Sequence, residues 1–326
     1  MKLAFTVCSL AYLGQAKAMA DSFIKYNPAY QIKIGIVDRI EGRIEKQDFA
    51  PYELTEIEEV GIPDLSGLTS KYNGLEMCCL AKPFMASYLL EKYPEAQHLI
   101  YADTDILFFN SVEDVANALE SSAIFLTPHI FTPYPDLHLY PLETSHLNSG
   151  LYNAGFWAIS RGNESQQFLD WWKKRLITYG FVNFMDGMFV DQLWLNYVPL
   201  FFQNVVISQH LGLNVGYWNL HERSLQEHDG NFTVNNQFPL VLFHYSGYNI
   251  DSPKGISAHT DRFDLDDKPE LMPVFQLIND ELTANRHDQL KELPNLLISE
   301  KEYMKWGILR EYALRISRKL IRELHG

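Results

Sequence analysis

An α/β fold with a mixed, mostly parallel central sheet and a helical C-terminal extension is predicted by three features of the sequence. Short apolar runs suited to strands buried on both faces alternate with segments of helical periodicity. The first alternation, strand to helix to strand within residues 3–37, is a βαβ unit. A later apolar run, Leu99-Ile100-Tyr101-Ala102-Asp103-Thr104-Asp105-Ile106-Leu107-Phe108-Phe109, carries two aspartates one residue apart, and open α/β sheets gather ligands at the carboxyl ends of their strands.

Composition bounds the function. The chain has 326 residues, 47% of them hydrophobic, which is enough to fill the core of one large domain or two smaller ones. A formal charge of −14 argues against a general nucleic-acid binder, so an anionic substrate must be held locally by a metal or by a few selected cations. Three cysteines, two of them adjacent at Cys78 and Cys79, form neither a disulfide framework nor a zinc-type pair and fit a reducing cytoplasm. Lys2, the apolar run Leu3 to Leu13 and Ala16-Lys17-Ala18 imitate a secretory signal. Thr6, Ser9 and Tyr12 interrupt that run, which is better read as a strand and a turn. No segment reaches the ~20 consecutive apolar residues of a membrane span.

The elements follow in order. Leu3 to Cys8 is a buried strand, Ser9 to Gly14 a connecting loop, and Gln15 to Tyr26 a helix with apolar residues at Ala16, Met19, Ala20 and Phe23, stopped by Asn27-Pro28. Tyr30 to Val37 is the next strand, ending at Asp38. Asn73 to Tyr93 is helical with Pro83 inside, implying a kink or two helices. Lys82, just before that proline, is either a solvated lysine or a phosphate binder. Ser111 to Glu120 is a helix, Ala123 to Leu126 a strand, and Thr127 to Asn148 a long loop of the kind that is usually functional. Its histidines, His129, His138 and His146, show no ligand spacing.

Leu151 to Ile159 is another buried strand with Asn153 and Gly155 near its start, where glycine permits close backbone approach by a ligand. Asn163 to Tyr179 is an amphipathic helix, and Val190 to Tyr197 a second one stopped near Pro199. The pair Asp191-Gln192 inside it is costly to bury without partners, so it is a cap or a site. Pro239 to Tyr248 is a short strand running into a turn, and beyond Asp266 the chain turns helical to its end.

The acidic pair is the candidate centre. In extended backbone, side chains at i and i+2 leave the same face, so Asp103 and Asp105 can converge while Thr104 faces away. A bare D-x-D often lies on a solvated loop, but the apolar flanks here leave little room for one. Two carboxylates held this close repel unless something positive sits between them, and a divalent cation is the natural occupant. His244, at the end of an apolar run, is by default a satisfied core histidine, and beside an acidic pair it becomes a candidate third ligand.

Four motifs in order, Tyr101-Ala102-Asp103-Thr104-Asp105, Tyr152-Asn153-Ala154-Gly155, Asp191-Gln192 and Phe243-His244-Tyr245-Ser246-Gly247, make the chain resemble a nucleotide-sugar glycosyltransferase of the single-domain type A fold. The resemblance is to the family 8 retaining hexosyltransferases and their bacterial relatives, and it spans residues 1 to about 250. It implies that Asp103, Asp105 and His244 hold Mn²⁺, with Mg²⁺ the alternative, against the diphosphate of a nucleotide-sugar donor, a UDP sugar. It also implies that Asn153 and Ala154 contact the donor sugar, that Asp191 and Gln192 lie beside its anomeric carbon as catalytic residues, and that Ser9, Ala11, Tyr12 and Asp38 cradle the uridine. Thr104, Lys82 and Gly247 are grouped with the donor-binding residues.

The implied activity is transfer of a hexose, with retention, to a glycan or lipid-linked saccharide acceptor, as in polysaccharide biosynthesis. One departure is visible: the family commonly continues H-x-x-G-x-x-K-P, whereas Gly247 is followed by Tyr248-Asn249-Ile250-Asp251-Ser252-Pro253-Lys254. The phosphate-binding lysine is therefore a displaced Lys254, or its role passes to Lys82 or Arg262. A sugar nucleotidyltransferase would also use an acidic pair but lacks its Gly-rich basic signature here. A non-catalytic carbohydrate-binding protein would need no metal triad.

The expected organisation is a catalytic domain over residues 1–265 and a helical extension over 266–326. Within the extension, Lys305 to His325 gathers Trp306, Leu309, Ala313, Ile316, Leu320 and Leu324 on one helical face among many cations. That pattern is either a packed terminal helix or a peripheral anchor on an anionic membrane surface, at the inner face of the membrane.

Overall fold

The computed structural model describes residues 1–252 and 254–298, so the proposed anchor at Lys305 to His325 lies outside the described residues. The predicted βαβ unit is present. Strands β1 (Lys2–Cys8) and β2 (Tyr30–Ile36) pair in parallel from Lys2↔Tyr30 to Cys8↔Ile36. Helix α1 (Leu13–Tyr26) joins them, entered through a 3-10 turn at Leu10–Tyr12 and closed at Asn27. Strand β3 (Glu53–Glu56) then extends the sheet in parallel; its sequence Glu-Leu-Thr-Glu holds one apolar aliphatic residue and carried no strand signal.

After the short α2 (Leu65–Lys71), helix α3 (Gly74–Lys92) begins at a capping box made by Asn73 and Glu76 and runs through Pro83 as a single element. Strand β4 (His98–Ala102) leads into β5 (Ile106–Phe108), α4 (Glu113–Ala118) and β6 (Ile124–Pro128). The expected long loop after β6 carries helix α5 (Glu143–Ser149) at its end. Strand β7 (Tyr152–Ser160) and helix α6 (Asn163–Tyr179) follow where the periodicity puts them.

The central sheet has seven strands in the order β10-β6-β7-β4-β1-β2-β3, where β10 is Val205–Ile207. Only β7 runs against its neighbours β4 and β6, so the sheet is mixed and mostly parallel, as predicted. Its inner strands are buried on both faces. Phe5, Tyr101 and Trp157 pack with Leu80, Met85, Phe168 and Trp172 of α3 and α6, while Ala4, Ile34, Ile100 and Phe156 pack with Met19 and Phe23 of α1. That two-sided burial is why these strands read as continuous apolar runs.

Several expectations are corrected. Between the short hairpin β8 (Val182–Asn183) and β9 (Met188–Phe189) and strand β10, the segment expected as one helix is a 3-10 turn, Gln192–Tyr197, followed by α7 (Val198–Phe201). Pro199 opens α7 instead of ending a helix, because its fixed φ and missing N–H suit a first turn. Downstream, β11 (Val215–Gly216) precedes a three-stranded hairpin sheet of β12 (Leu225–His228), β13 (Asn231–Val234) and β14 (Phe238–Pro239).

The expected strand Pro239 to Tyr248 is therefore divided. Leu240 N–H goes to Phe232 O and Val241 N–H to Gly212 O, and only then does β15 (Leu242–His244) begin. Strand β15 lies between β11 and β5 in a second sheet. Beyond Asp266 the described chain is not one helix: α8 (Met272–Ala284) and a single-turn α9 (His287–Leu290) are separated by Arg286 in the left-handed region. Among the described residues, no helix is long and apolar enough to cross a membrane.

Asn27 ties two layers together. Its buried amide donates to Phe23 O at 3.0 Å and accepts from Val112 N–H at 2.9 Å, joining the end of α1 to the start of α4. Asn27→Ala leaves that buried N–H without an acceptor and is expected to cost about 1–3 kcal/mol of stability, read as a lower urea midpoint at unchanged slope.

Candidate active site

The acidic pair sits where the chain leaves the central sheet. β4 ends at Ala102, Asp103 to Asp105 form a turn, and β5 starts the second sheet at Ile106. The carboxylates converge because of this turn, not because of the i, i+2 pleat expected from extended backbone. Asp103 N–H is bonded to Gly155 O at 2.7 Å and Asp105 O accepts from Tyr245 N–H at 2.7 Å, so one end of the turn is anchored to β7 and the other to the residue just after β15.

The register of β5 against β15 supplies the third group. His244 lies opposite Ile106, which brings its Nε2 to 3.1 Å from Asp105 Oδ1. One ligand atom from each of Asp103, Asp105 and His244 falls within 4.8 Å of the others. Burial pushes the His244 imidazole toward the neutral form, but the Asp105 carboxylate outweighs it and holds the pKa above the usual value. Reciprocally, burial raises Asp105 and the imidazole outweighs that, holding it below the carboxylate range.

A buried ion cluster adjoins this triad. Lys82 Nζ on α3 lies 3.1 Å from Asp103 Oδ1 and 2.8 Å from Asp191 Oδ2, and donates to Ala154 O at 3.2 Å. It also lies 4.7 Å from the centre of the Tyr101 ring, whose hydroxyl donates to Asp103. Burial alone would neutralise Lys82, yet Asp103 and Asp191 keep it charged. Asp191 is 2% exposed, and burial holds its pKa above the ordinary value against the opposing pull of Lys82. Its side chain does not cap the turn that follows, against the cap reading of the sequence; its charged partner is Lys82.

Gln192 is fixed at both ends, accepting from Ala154 N–H at 3.2 Å and donating to Ser149 O at 3.0 Å. Asn153 is likewise committed inside the protein: its amide N–H meets His129 Nε2 at 3.1 Å and its oxygen accepts from Gly155 N–H at 2.8 Å. These residues build the floor of the site.

The donor set fits a divalent cation. Asp103, Asp105 and Asp191 bring three carboxylates against the one ammonium of Lys82, so once the imidazole gives up its proton to ligate a metal, the cluster carries an excess of negative charge that a divalent ion would offset. Two carboxylates and an imidazole are a mixed oxygen and nitrogen set suited to a transition metal.

The remaining sequence candidates are distributed unevenly. Ser9, Ala11 and Tyr12 lie at the carboxyl end of β1, with Tyr12 52% exposed. Asp38 is fully buried, with its Oδ1 accepting from Arg39 N–H, Arg43 and Leu296 N–H, while its Oδ2 has no hydrogen-bond partner among the described residues. Thr104 turns toward α1, donating to Gln15 at 3.3 Å.

Among the three candidate cations, only Lys82 is at the acidic cluster. Lys254 is exposed and paired with Asp266. Arg262 is buried and binds Asp136 at 2.5 Å and the carbonyls of Leu139 and Pro141, strapping the long loop after β6. Gly247 takes φ of +70°, and a side chain there would meet His259 and Ser257. One contributor was not legible: Asn214, which contacts His244 and lies in no periodic or motif pattern that would have marked it. Gly155, marked in the sequence as a point of close approach, provides the room beside His244 and Asp103.

No protein-family model matches the chain. Two proteins of Bacillus subtilis (strain 168) are similar in sequence: uncharacterized protein YfnF, 26% identical over 263 residues covering 80% of this chain and 86% of its own, and uncharacterized protein YfnD, 22% identical over 255 residues covering 76% and 78%. Among solved structures, the galactosyltransferase LgtC in complex with donor and acceptor sugar analogs superposes with a TM-score of 0.51, covering 94% of this chain and 100% of that one at 14% identity. The chain has the type A glycosyltransferase fold. In this glycosyltransferase fold, the cluster of Asp103, Asp105, His244, Lys82 and Asp191 occupies the junction of the central and second sheets.

Gly155 is a sharp test of the site. A Cβ there would lie 2.4 Å from His244 Cε1 and 2.7 Å from Asp103 Oδ2. Gly155→Ala is expected to displace both ligands and weaken Mn²⁺ binding by about tenfold or more, with the circular dichroism spectrum unchanged; calorimetric titration measures the loss.

Proposed function

We propose that this chain is a metal-dependent hexosyltransferase that moves a sugar from a nucleotide sugar, a UDP sugar, to a glycan or lipid-linked saccharide acceptor with retention of configuration. The observation that carries it is the convergence of Asp103, Asp105 and His244 beside the buried Lys82–Asp191 pair on a type A glycosyltransferase fold. LgtC, which shares the fold, is a galactosyltransferase that holds donor and acceptor sugar analogs, and that supports a sugar donor here.

Asp103, Asp105 and His244 would hold the cation, with Mn²⁺ favoured over Mg²⁺ because one ligand is an imidazole. When bound, the ion supplies Lewis-acid neutralisation of the charge that grows on the departing diphosphate. Lys82 anchors Asp191 in one orientation and keeps the second carboxylate of its ion pair, Asp103, turned into the site. Asp191 and Gln192 then offer oxygen atoms to the sugar as positive charge develops at its anomeric carbon. Gln192 is held ready for this by Ser149 and Ala154.

Asn153 supports that floor through Gly155 and His129, and Ala154 presents its backbone beside Gln192. Ser9, Ala11 and Tyr12 receive the nucleoside, with the exposed ring of Tyr12 available to a base. Asp38 acts from beneath by fixing Arg43 and the backbone at Leu296. All these side chains belong to residues 1–265, which we take as the catalytic domain. The free cysteines Cys8, Cys78 and Cys79 support a reducing, cytoplasmic setting.

Asp103→Asn and Asp105→Asn remove ligand charge without removing volume. Each is expected to lower Mn²⁺-dependent hydrolysis of a panel of UDP-hexoses by about 10²-fold or more. Full activity in either variant would overturn the metal assignment. Retention is checked separately: NMR of the product formed from an α-linked donor is expected to show an α linkage, and a β linkage would refute it.

A further inference from the structure

His244 is addressed from behind by a side chain that no motif includes. Asn214 precedes β11 with φ of +59°, a left-handed conformation that asparagine tolerates better than most residues. Its backbone is locked there, since Asn214 O accepts from the Asn219 amide at 3.0 Å and Asn219 in turn grips Gly216 N–H. The residue is 0% exposed, and its side chain bridges two groups: Asn214 Oδ1 is 3.2 Å from His244 Nδ1, and Asn214 Nδ2 is 3.3 Å from Thr127 Oγ1.

The direction of these bonds follows from the sheet. Thr127 Oγ1 donates to Phe156 O at 3.1 Å, at the place where the β6–β7 register shifts and leaves the ladder. With its proton spent there, the Thr127 oxygen can only accept, so it faces the amide N–H of Asn214. The amide oxygen then faces His244 Nδ1, and only an Nδ1–H satisfies it. Nε2 then faces Asp105, 3.1 Å away, where a cation taking the place of the proton shared between them meets the Nε2 lone pair, and Trp218 packs edge-on against the ring at 5.1 Å and 89° to hold that orientation.

We infer that Asn214 is a positioning residue that fixes His244 in the Nδ1–H tautomer, so that Nε2 is presented as a metal ligand. The inference rests on the metal site proposed above and extends it to a relay Phe156–Thr127–Asn214–His244 running from the central sheet into the second one. It also accounts for an amide at this buried position: an acceptor is required on the imidazole side and a donor on the threonine side, and an amide provides both.

The test measures Mn²⁺ alone, by the electron paramagnetic resonance signal of the free ion titrated with full-length protein. Asn214→Gly deletes the acceptor while glycine keeps the positive φ without strain, and it is expected to weaken Mn²⁺ binding by about 10–100-fold. Asn214→Asp keeps an acceptor on Nδ1 and is expected to bind at least as tightly as the natural protein. A glycine variant with unchanged affinity would overturn the inference. So would an aspartate variant as weak as the glycine one, because the acceptor would then not be what matters. His244→Ala serves as the reference: if it binds Mn²⁺ like the natural protein, the metal site itself fails and this inference falls with it. If His244→Ala loses the ion while Asn214→Gly does not, the metal site stands and only the role of Asn214 is refuted.

Discussion

Repulsion among carboxylates is the constraint on which the rest of the molecule depends. Asp103, Asp105 and Asp191 are gathered from a turn and from the segment after β9 into one partly buried region, where like charges at close range are far more costly than in water. Lys82 offsets part of that cost from within helix α3, and it can do so only because the helix continues unbroken through Pro83 and packs flat on the central sheet. The carboxylate charge that Lys82 leaves unmatched is the reason a cation belongs there.

The two-sheet arrangement turns this local chemistry into a site. The central sheet supplies Asp103 through β4, and Asn153, Ala154 and Gly155 through its one antiparallel strand, β7. The second sheet supplies His244 through β15. Asp105 belongs to both, since its turn joins β4 to β5 and its carbonyl is bonded to Tyr245. Around this junction, Arg262 ties the loop after β6 to the segment following β15 through Asp136, Leu139 and Pro141, and stacks on Tyr134 at 4.5 Å. The wall of the site facing that loop is thereby attached to the same strand that carries the histidine.

Local signals worked where one physical effect dominates. Asn163 to Tyr179 was legible to the residue, because a long amphipathic face at 3.6-residue spacing has no competing interpretation. β1, β4 and β7 were legible as apolar runs because they are buried on both faces. β3 was not, since an edge strand reading Glu-Leu-Thr-Glu is stabilised by pairing with β2 and by its ion pairs with Lys33 and Lys92, neither of which is local. The division of Pro239 to Tyr248 was hidden for a similar reason: Leu240 and Val241 are apolar like their neighbours, but their backbone partners, Phe232 and Gly212, lie elsewhere in the chain.

By itself, the sequence determined the α/β class, the apolar strands of the sheet, the acidic pair and the residue types available to it. Each of these follows from short-range pattern: period, burial and charge within a few positions. Only the tertiary structure decided which distant groups meet that pair. The β5–β15 register selected His244, the packing of α3 selected Lys82 over Lys254 and Arg262, and the distant backbone of Leu296 met Asp38 Oδ1. Contact between residues separated by tens to hundreds of positions depends on strand register and on backbone hydrogen bonds satisfied across the fold. Asn214 shows this most clearly: its side-chain orientation is set by a threonine hydroxyl on another strand and by nothing in its own neighbourhood of sequence.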